Sequence, residues 1–126
     1  MRPLILLAFL ASPALAEPMT AAEFGAHVTG RTINWWRDGR PYGQEVFHDN
    51  NRVTWAFEGG ECQTGSWFGA GDNICFLYDD QTDPVCWIVM DRPEGMLATL
   101  TDFPDRPPLT EAIKDNRPLV CSGAGV

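Results

Sequence analysis

Basic residues are scarce in this chain: nine lysines and arginines stand against 17 aspartates and glutamates, for a net charge of −8 at neutral pH. An acidic surface of that size repels phosphate backbones and anionic headgroups, so nucleic-acid binding is not expected. A soluble partner with basic patches is compatible with it. Long apolar runs are absent after the first residues, which excludes a second hydrophobic segment able to span a membrane. Cysteine is limited to four residues, with no Cys-x-x-Cys and no Cys/His cluster at zinc spacing, so neither a redox pair nor a zinc site is indicated. Neither Ser66 nor Ser122 sits in a Gly-x-Ser-x-Gly elbow. No internal repeat or low-complexity tract is present, and nothing in the chain calls for a cofactor.

What is present begins with the leader. Arg2 supplies one positive charge, Leu4 to Ala11 is apolar throughout, Pro13 breaks the run, and Ala14-Leu15-Ala16 is the small-x-small pattern of a signal-peptidase site. The expectation is a signal peptide over 1–16 and a single exported β domain over 17–126, soluble in the periplasm or secreted. Arg2 is not one of a twin-arginine pair, and no cysteine adjoins the cleavage site to carry a lipid. Outside the reducing cytosol, Cys62, Cys75, Cys86 and Cys121 read as two disulfides.

The remaining pattern is mainly β. Thr20-Ala21-Ala22-Glu23 is a capping box, Phe24 and Val28 share one face, and Gly30 suits the end of a short helix over about 21–28. Thereafter apolar residues alternate: Val53, Trp55 and Phe57; Ile74, Phe76 and Tyr78; Met96, Ala98 and Leu100. Turn-forming clusters such as Asp49-Asn50-Asn51 and Arg92-Pro93-Glu94-Gly95 separate the runs. Strands are placed near 31–36, 43–48, 52–58, 63–69, 73–79, 85–91 and 96–102. With no helix between them, they form an antiparallel meander, best closed as a small up-and-down barrel. Beyond residue 102 the reading is irregular, with a helical turn over 110–116 and a last strand over 118–121.

Four cysteines allow three pairings. Cys75 and Cys86 fall on adjacent strands of one hairpin with their sulfurs on one face, at about 4.5–5.5 Å between Cα atoms, which suits a disulfide. Cys62 and Cys121 remain for the second bridge.

Residues able to carry chemistry have ordinary readings beside the functional ones. His48, followed by Asp49, could join Ser66 or Ser122 as a nucleophile–base set, but a solvated imidazole beside an Asp-Asn-Asn turn is the ordinary reading and the one favoured here. His27, on the helix, has no evident partner and reads as a surface residue. Asp79, Asp80 and Asp83 could hold a hard cation, but EF-hand spacing is missing and acidic turn residues are usually solvated. Five tryptophans must be mostly core. Trp35 and Trp36 are adjacent on a strand and must point to opposite faces, so the outward one is a candidate contact for a ligand or partner, as is Trp67 by the same parity. Trp55, Phe57, Phe76 and Ile88 are expected to fill the barrel.

The segments Thr29-Gly30-Arg31-Thr32, Tyr42-Gly43-Gln44-Glu45, Arg52 to Phe57, Gly60-Glu61-Cys62, Gly65-Ser66-Trp67, Ile74 to Tyr78 and Cys86-Trp87 together resemble small exported bacterial proteins of unknown function. The resemblance covers roughly 19–101. It implies a secreted β domain with paired cysteines and brings no catalytic residue. At fold level the meander is similar to lipocalin-like and avidin-like barrels and to small periplasmic barrels that inhibit hydrolases, a likeness that does not transfer function. The leading functional expectation is a non-enzymatic binding or interaction module, engaging a small apolar ligand or an unknown protein. The alternatives are a small periplasmic hydrolase using His48 and an inhibitor of an envelope hydrolase. Whether the barrel encloses a cavity separates a ligand carrier from a protein-contact module.

Overall fold

A computed structural model describes residues 16–121 together with 1, 3–5, 7 and 8. Most of the apolar leader, residues 9–15 among them, and Ser122 lie outside the described residues. Helix α1 (Ala21–Val28) is followed by eight strands: β1 (Thr32–Arg37), β2 (Arg40–Phe47), β3 (Arg52–Phe57), β4 (Gln63–Ala70), β5 (Asn73–Tyr78), β6 (Val85–Met90), β7 (Leu97–Leu100) and β8 (Leu109–Glu111). Each strand pairs antiparallel with the next, and β8 returns to β1, closing the barrel. Among the described residues no helix is long and apolar enough to cross a membrane.

The helix begins where its capping box dictates. Thr20 accepts the Glu23 amide at 3.1 Å, and Glu23 accepts the Thr20 amide at 3.0 Å. Its one apolar stripe, Phe24 and Val28, is fully buried because α1 lies across one end of the barrel and plugs it. Phe24 meets the rings of Phe47, Trp67 and Phe76 edge-on. His27 is not an isolated surface residue as its sequence context suggested: its Nε2 lies 3.1 Å from Oε1 of Glu111 on β8. Glu111 also accepts the Met96 amide at 3.0 Å and stands 3.6 Å from the Arg31 guanidinium. This buried carboxylate therefore ties the helix to the strand that closes the barrel.

Period-two alternation sorts the strands as expected, with one face inward. Two residues depart from the anticipated filling: Phe57 ends β3 at the open end of the barrel and stays 49 % exposed, and Ile88 faces away from the interior. Val89 and Trp87 take the inward positions of β6, so parity turns Ile88 outward. Strand β2 starts earlier than the apolar pattern suggested, because Asp38 and Gly39, with φ of 51° and 73°, form a two-residue hairpin turn directly after β1. The C-terminal region also differs. The closing strand is Leu109–Glu111, in place of a helical turn over 110–116, and 118–121 carries no strand. Leu109 and Glu111 are buried while Thr110 is exposed, a pattern too short to register as a strand among flanking prolines.

Both disulfides pair as expected, the first from the hairpin register and the second as the pair that remains. Cys75 and Cys86 are directly opposed on β5 and β6, with Cα atoms 4.0 Å apart. Cys62, after β3, holds Cys121 at 5.2 Å between Cα atoms. Two intramolecular disulfides fit an oxidising environment. The second bridge fastens a strap, residues 112–121, across the outer face of β1 and β2. Asn34 donates to the carbonyls of Asp115 and Arg117, and Gln44 donates to those of Arg117 and Pro118.

Candidate functional site

Eight strands give a barrel whose interior is either filled by side chains or left able to hold one small ligand. Here the two ends differ. At the plugged end, Val28, Ile33, Phe47, Val53 and Ile74 are all at most 1 % exposed. At the other end a cavity of about 360 Å³ opens, within the size range of small-molecule sites. Phe24 forms its floor. Trp35, Trp55, Phe76 and Trp87 form its walls, and Phe57, Val85 and Phe103 its rim. The rim residues are 49, 36 and 52 % exposed, an apolar collar that the fold leaves in water.

Local backbone features shape this space. The register of β1 against β2 shifts between Trp35 and Trp36, leaving Tyr42 as the extra residue on β2. Such a bulge re-aims a side chain, and Tyr42 here joins the cavity wall beside Trp55 and Phe57. A Cβ on Gly43 would come within 2.2 Å of the Trp55 indole, so the absence of a side chain there lets the indole lie against β2. Gly65 does the same for Tyr78: an added Cβ would fall 2.8 Å from its Cα and 3.0 Å from its ring.

One acid faces this apolar space. Glu45, on β2, is 2 % exposed and lines the cavity. Its carboxyl accepts the Tyr78 hydroxyl at 3.1 Å and has no other hydrogen-bond partner among the described residues. Burial pushes the Glu45 carboxyl well above the usual carboxylate range, opposed in part by the Tyr78 hydrogen bond. Burial first, and then the Glu45 charge, push the Tyr78 phenol upward as well.

The sequence candidates are dispersed. Trp35 faces inward on the cavity wall. Trp36 faces outward, half-buried, and donates its indole N–H to Asp115 of the strap at 2.8 Å. Beside it a groove of about 580 Å³ runs along the strap. Trp67 is buried against Phe24 near the plugged end, not outward as its candidacy required, and its indole N–H has no hydrogen-bond partner among the described residues. Asp79 is engaged by Arg52, at 2.7 Å, and by Thr64, while Asp80 and Asp83 are exposed. Among the described residues no group of three or more histidines, cysteines or acids is placed to hold a metal ion. His48 contacts Thr54 Oγ1 at 2.8 Å, and the Ser66 hydroxyl accepts from Arg52 at 2.9 Å.

Sequence reasoning places Trp35, Trp55, Phe57 and Phe76 inside the barrel or at its contact face, but does not single out Glu45, Tyr78, Tyr42 or Phe103 as site residues. Parity carried the signal: Gly43, Glu45 and Phe47 share a face on β2, which puts an acid on the apolar side. Comparison with protein-family models, curated proteins and solved structures finds no match to this chain.

Proposed function

We propose that this protein is an exported, non-enzymatic binding module that holds one small molecule with an apolar body in the open end of its barrel. The observation that carries this reading is the cavity beneath an exposed apolar rim, at the end opposite the helical plug. Large apolar groups left in water around a concavity favour a ligand that covers them. The leader and the two disulfides support action outside the reducing cytosol.

Three cavity tryptophans make the test direct. Titration with 2-phenylethanol, a small neutral aromatic probe, is expected to shift tryptophan emission saturably. Ala98→Leu, which adds volume at a buried wall position, is expected to abolish the shift while the protein stays folded. A non-saturable response that is the same in both proteins would refute the binding reading. The export reading is tested by N-terminal sequencing of the exported product. The chain is expected to begin at Glu17, and an intact Met1 on a membrane-bound product would refute it.

A further inference from the structure

The chain buries two glutamates at the inner surface of its barrel, and they are provided for very differently. Glu111 has the Met96 amide, the His27 imidazole and the nearby Arg31 guanidinium. Those contacts account for it as a structural tie. Glu45 is as deeply buried and, among the described residues, has the Tyr78 hydroxyl alone. An ionised carboxylate can accept about four hydrogen bonds, so most of its capacity is unused. Burying a carboxyl with little compensation is costly, and apolar replacement would relieve that cost. The unused capacity faces the cavity, and the surrounding walls are the aromatic side chains of Trp35, Tyr42, Trp55 and Trp87, of which Tyr42 already stacks with the Arg37 guanidinium at 4.5 Å and leaves the three indoles to meet a ligand cation. Aromatic walls attract a cation through the ring quadrupole, and most strongly in a desolvated site.

We propose that the ligand is an organic cation: a protonated amine on an apolar body, its ammonium donating to the Glu45 carboxylate within the aromatic walls. This rests on the small-molecule reading above and assigns the ligand's charge. The net charge of −8 favours approach of a cation over an anion. The other titratable or charged groups on the cavity wall are the Tyr42 and Tyr78 phenols and, at the mouth, the Arg106 guanidinium, which stacks 4.1 Å over Phe103. Helix α1 and strands β1, β3, β4, β6, β7 and β8 contribute only apolar, aromatic or amide side chains to that wall. Among the described residues, Glu45 is thus the one acid a ligand meets there. Because burial favours its protonated form, ammonium binding releases the Glu45 proton to solvent and forms the ion pair in its place.

Three probes of similar size test the assignment: 2-phenylethylamine, 2-phenylethanol and 3-phenylpropionate, titrated by tryptophan fluorescence and calorimetry. The amine is expected to bind at least about tenfold more tightly than the alcohol, as a charge-assisted hydrogen bond replaces a neutral one. Its affinity is expected to rise with pH, by up to about tenfold per unit while free Glu45 is protonated, with the alcohol unaffected. Glu45→Gln keeps an acceptor for Tyr78 and is expected to erase both the amine preference and its pH dependence. Tyr78→Phe, which removes the hydroxyl but leaves the carboxyl, is expected to shift the amine's pH profile upward. Equal binding of amine and alcohol, a preference that survives Glu45→Gln, or tightest binding of the carboxylate would each overturn the cation assignment while leaving the cavity reading intact. Absence of saturable binding by all three would overturn both.

Discussion

Glu45 and Asp79 show how the same functional group acts in opposite pH windows according to where the fold places it. The Arg52 guanidinium, aided by the Thr64 hydroxyl, holds the exposed Asp79 at about 2. Its native state is ionised while the unfolded chain takes up a proton near pH 3.9, so stability falls as pH drops from about 4 toward 2. Asp115, held low chiefly by Arg117, acts in the same direction. Glu45 is held high, so the native protein keeps a proton that the unfolded chain releases near pH 4.3. Its contribution is complete below that value and is lost as pH rises toward the folded pKa. Glu45→Gln is therefore expected to match the parent near pH 4 and exceed it near pH 8. It should remove a slope of up to about 1.4 kcal/mol per pH unit from the alkaline limb of a urea-denaturation series. A uniform loss across that range would show that the carboxyl is worth more to the fold than its burial costs. A neighbouring residue supplies a steric counterpart. Gly43→Ala would drive a methyl into the Trp55 indole, and overpacking of this kind costs about 1–3 kcal/mol. The displaced indole would enter the cavity, so weaker 2-phenylethanol binding should accompany the lower denaturation midpoint.

Among the elements, α1 was the most legible in the sequence because its start is a local event. Thr20 and Glu23 satisfy each other's backbone donors without any tertiary partner, and the helix bounds follow. The role of that helix was not legible, since only the folded barrel presents an open end for Phe24 and Val28 to fill. Two substitutions separate these levels. Thr20→Ala removes one side of the capping box and is expected to cost about 1 kcal/mol. Phe24→Ala empties the contact with three rings and is expected to cost about 3–5 kcal/mol, measured by the same denaturation. Near-equal costs would mean that the cap holds α1 as strongly as the plug does. Strand β8 is the opposite case. It is three residues long, follows a proline-rich stretch, and owes its conformation to the edges of β1 and β7. The candidate site divides along the same line. Trp35 was visible because adjacent strand residues must diverge. Tyr42 was not, because it enters the cavity through a bulge that no alternation pattern records.

At the scale of the whole molecule, the two disulfides constrain different parts of one closed sheet. Cys75–Cys86 joins neighbouring strands over a sequence separation of 11 residues, whereas Cys62–Cys121 spans 59. Chain-entropy reasoning assigns them about 3 and about 4 kcal/mol, as upper-end values. Their local consequences differ more than those totals do. Strands β5 and β6 have an adjacent strand on both sides and a full hairpin between them, so their pairing does not depend on a sulfur bridge. The strap ending at Cys121 continues directly from β8, the shortest strand, and lies over β1 through the Asn34 and Trp36 side chains and over β2 through Gln44. Releasing Cys121 removes the covalent end of that strap and leaves barrel closure to a few hydrogen bonds. Local opening is governed by such contacts and is read by amide exchange. In the Cys62→Ser/Cys121→Ser variant, the Glu111 and Ala112 amides, bonded to Met96 and Asn34, are expected to exchange faster than those of β4 and β5. In the Cys75→Ser/Cys86→Ser variant, the closing amides are expected to keep their protection relative to the rest of the sheet. If instead β8 protection were unchanged without Cys121, closure would rest on Leu109 packing and the Glu111 contacts alone, and the strap would have no part in holding the barrel shut.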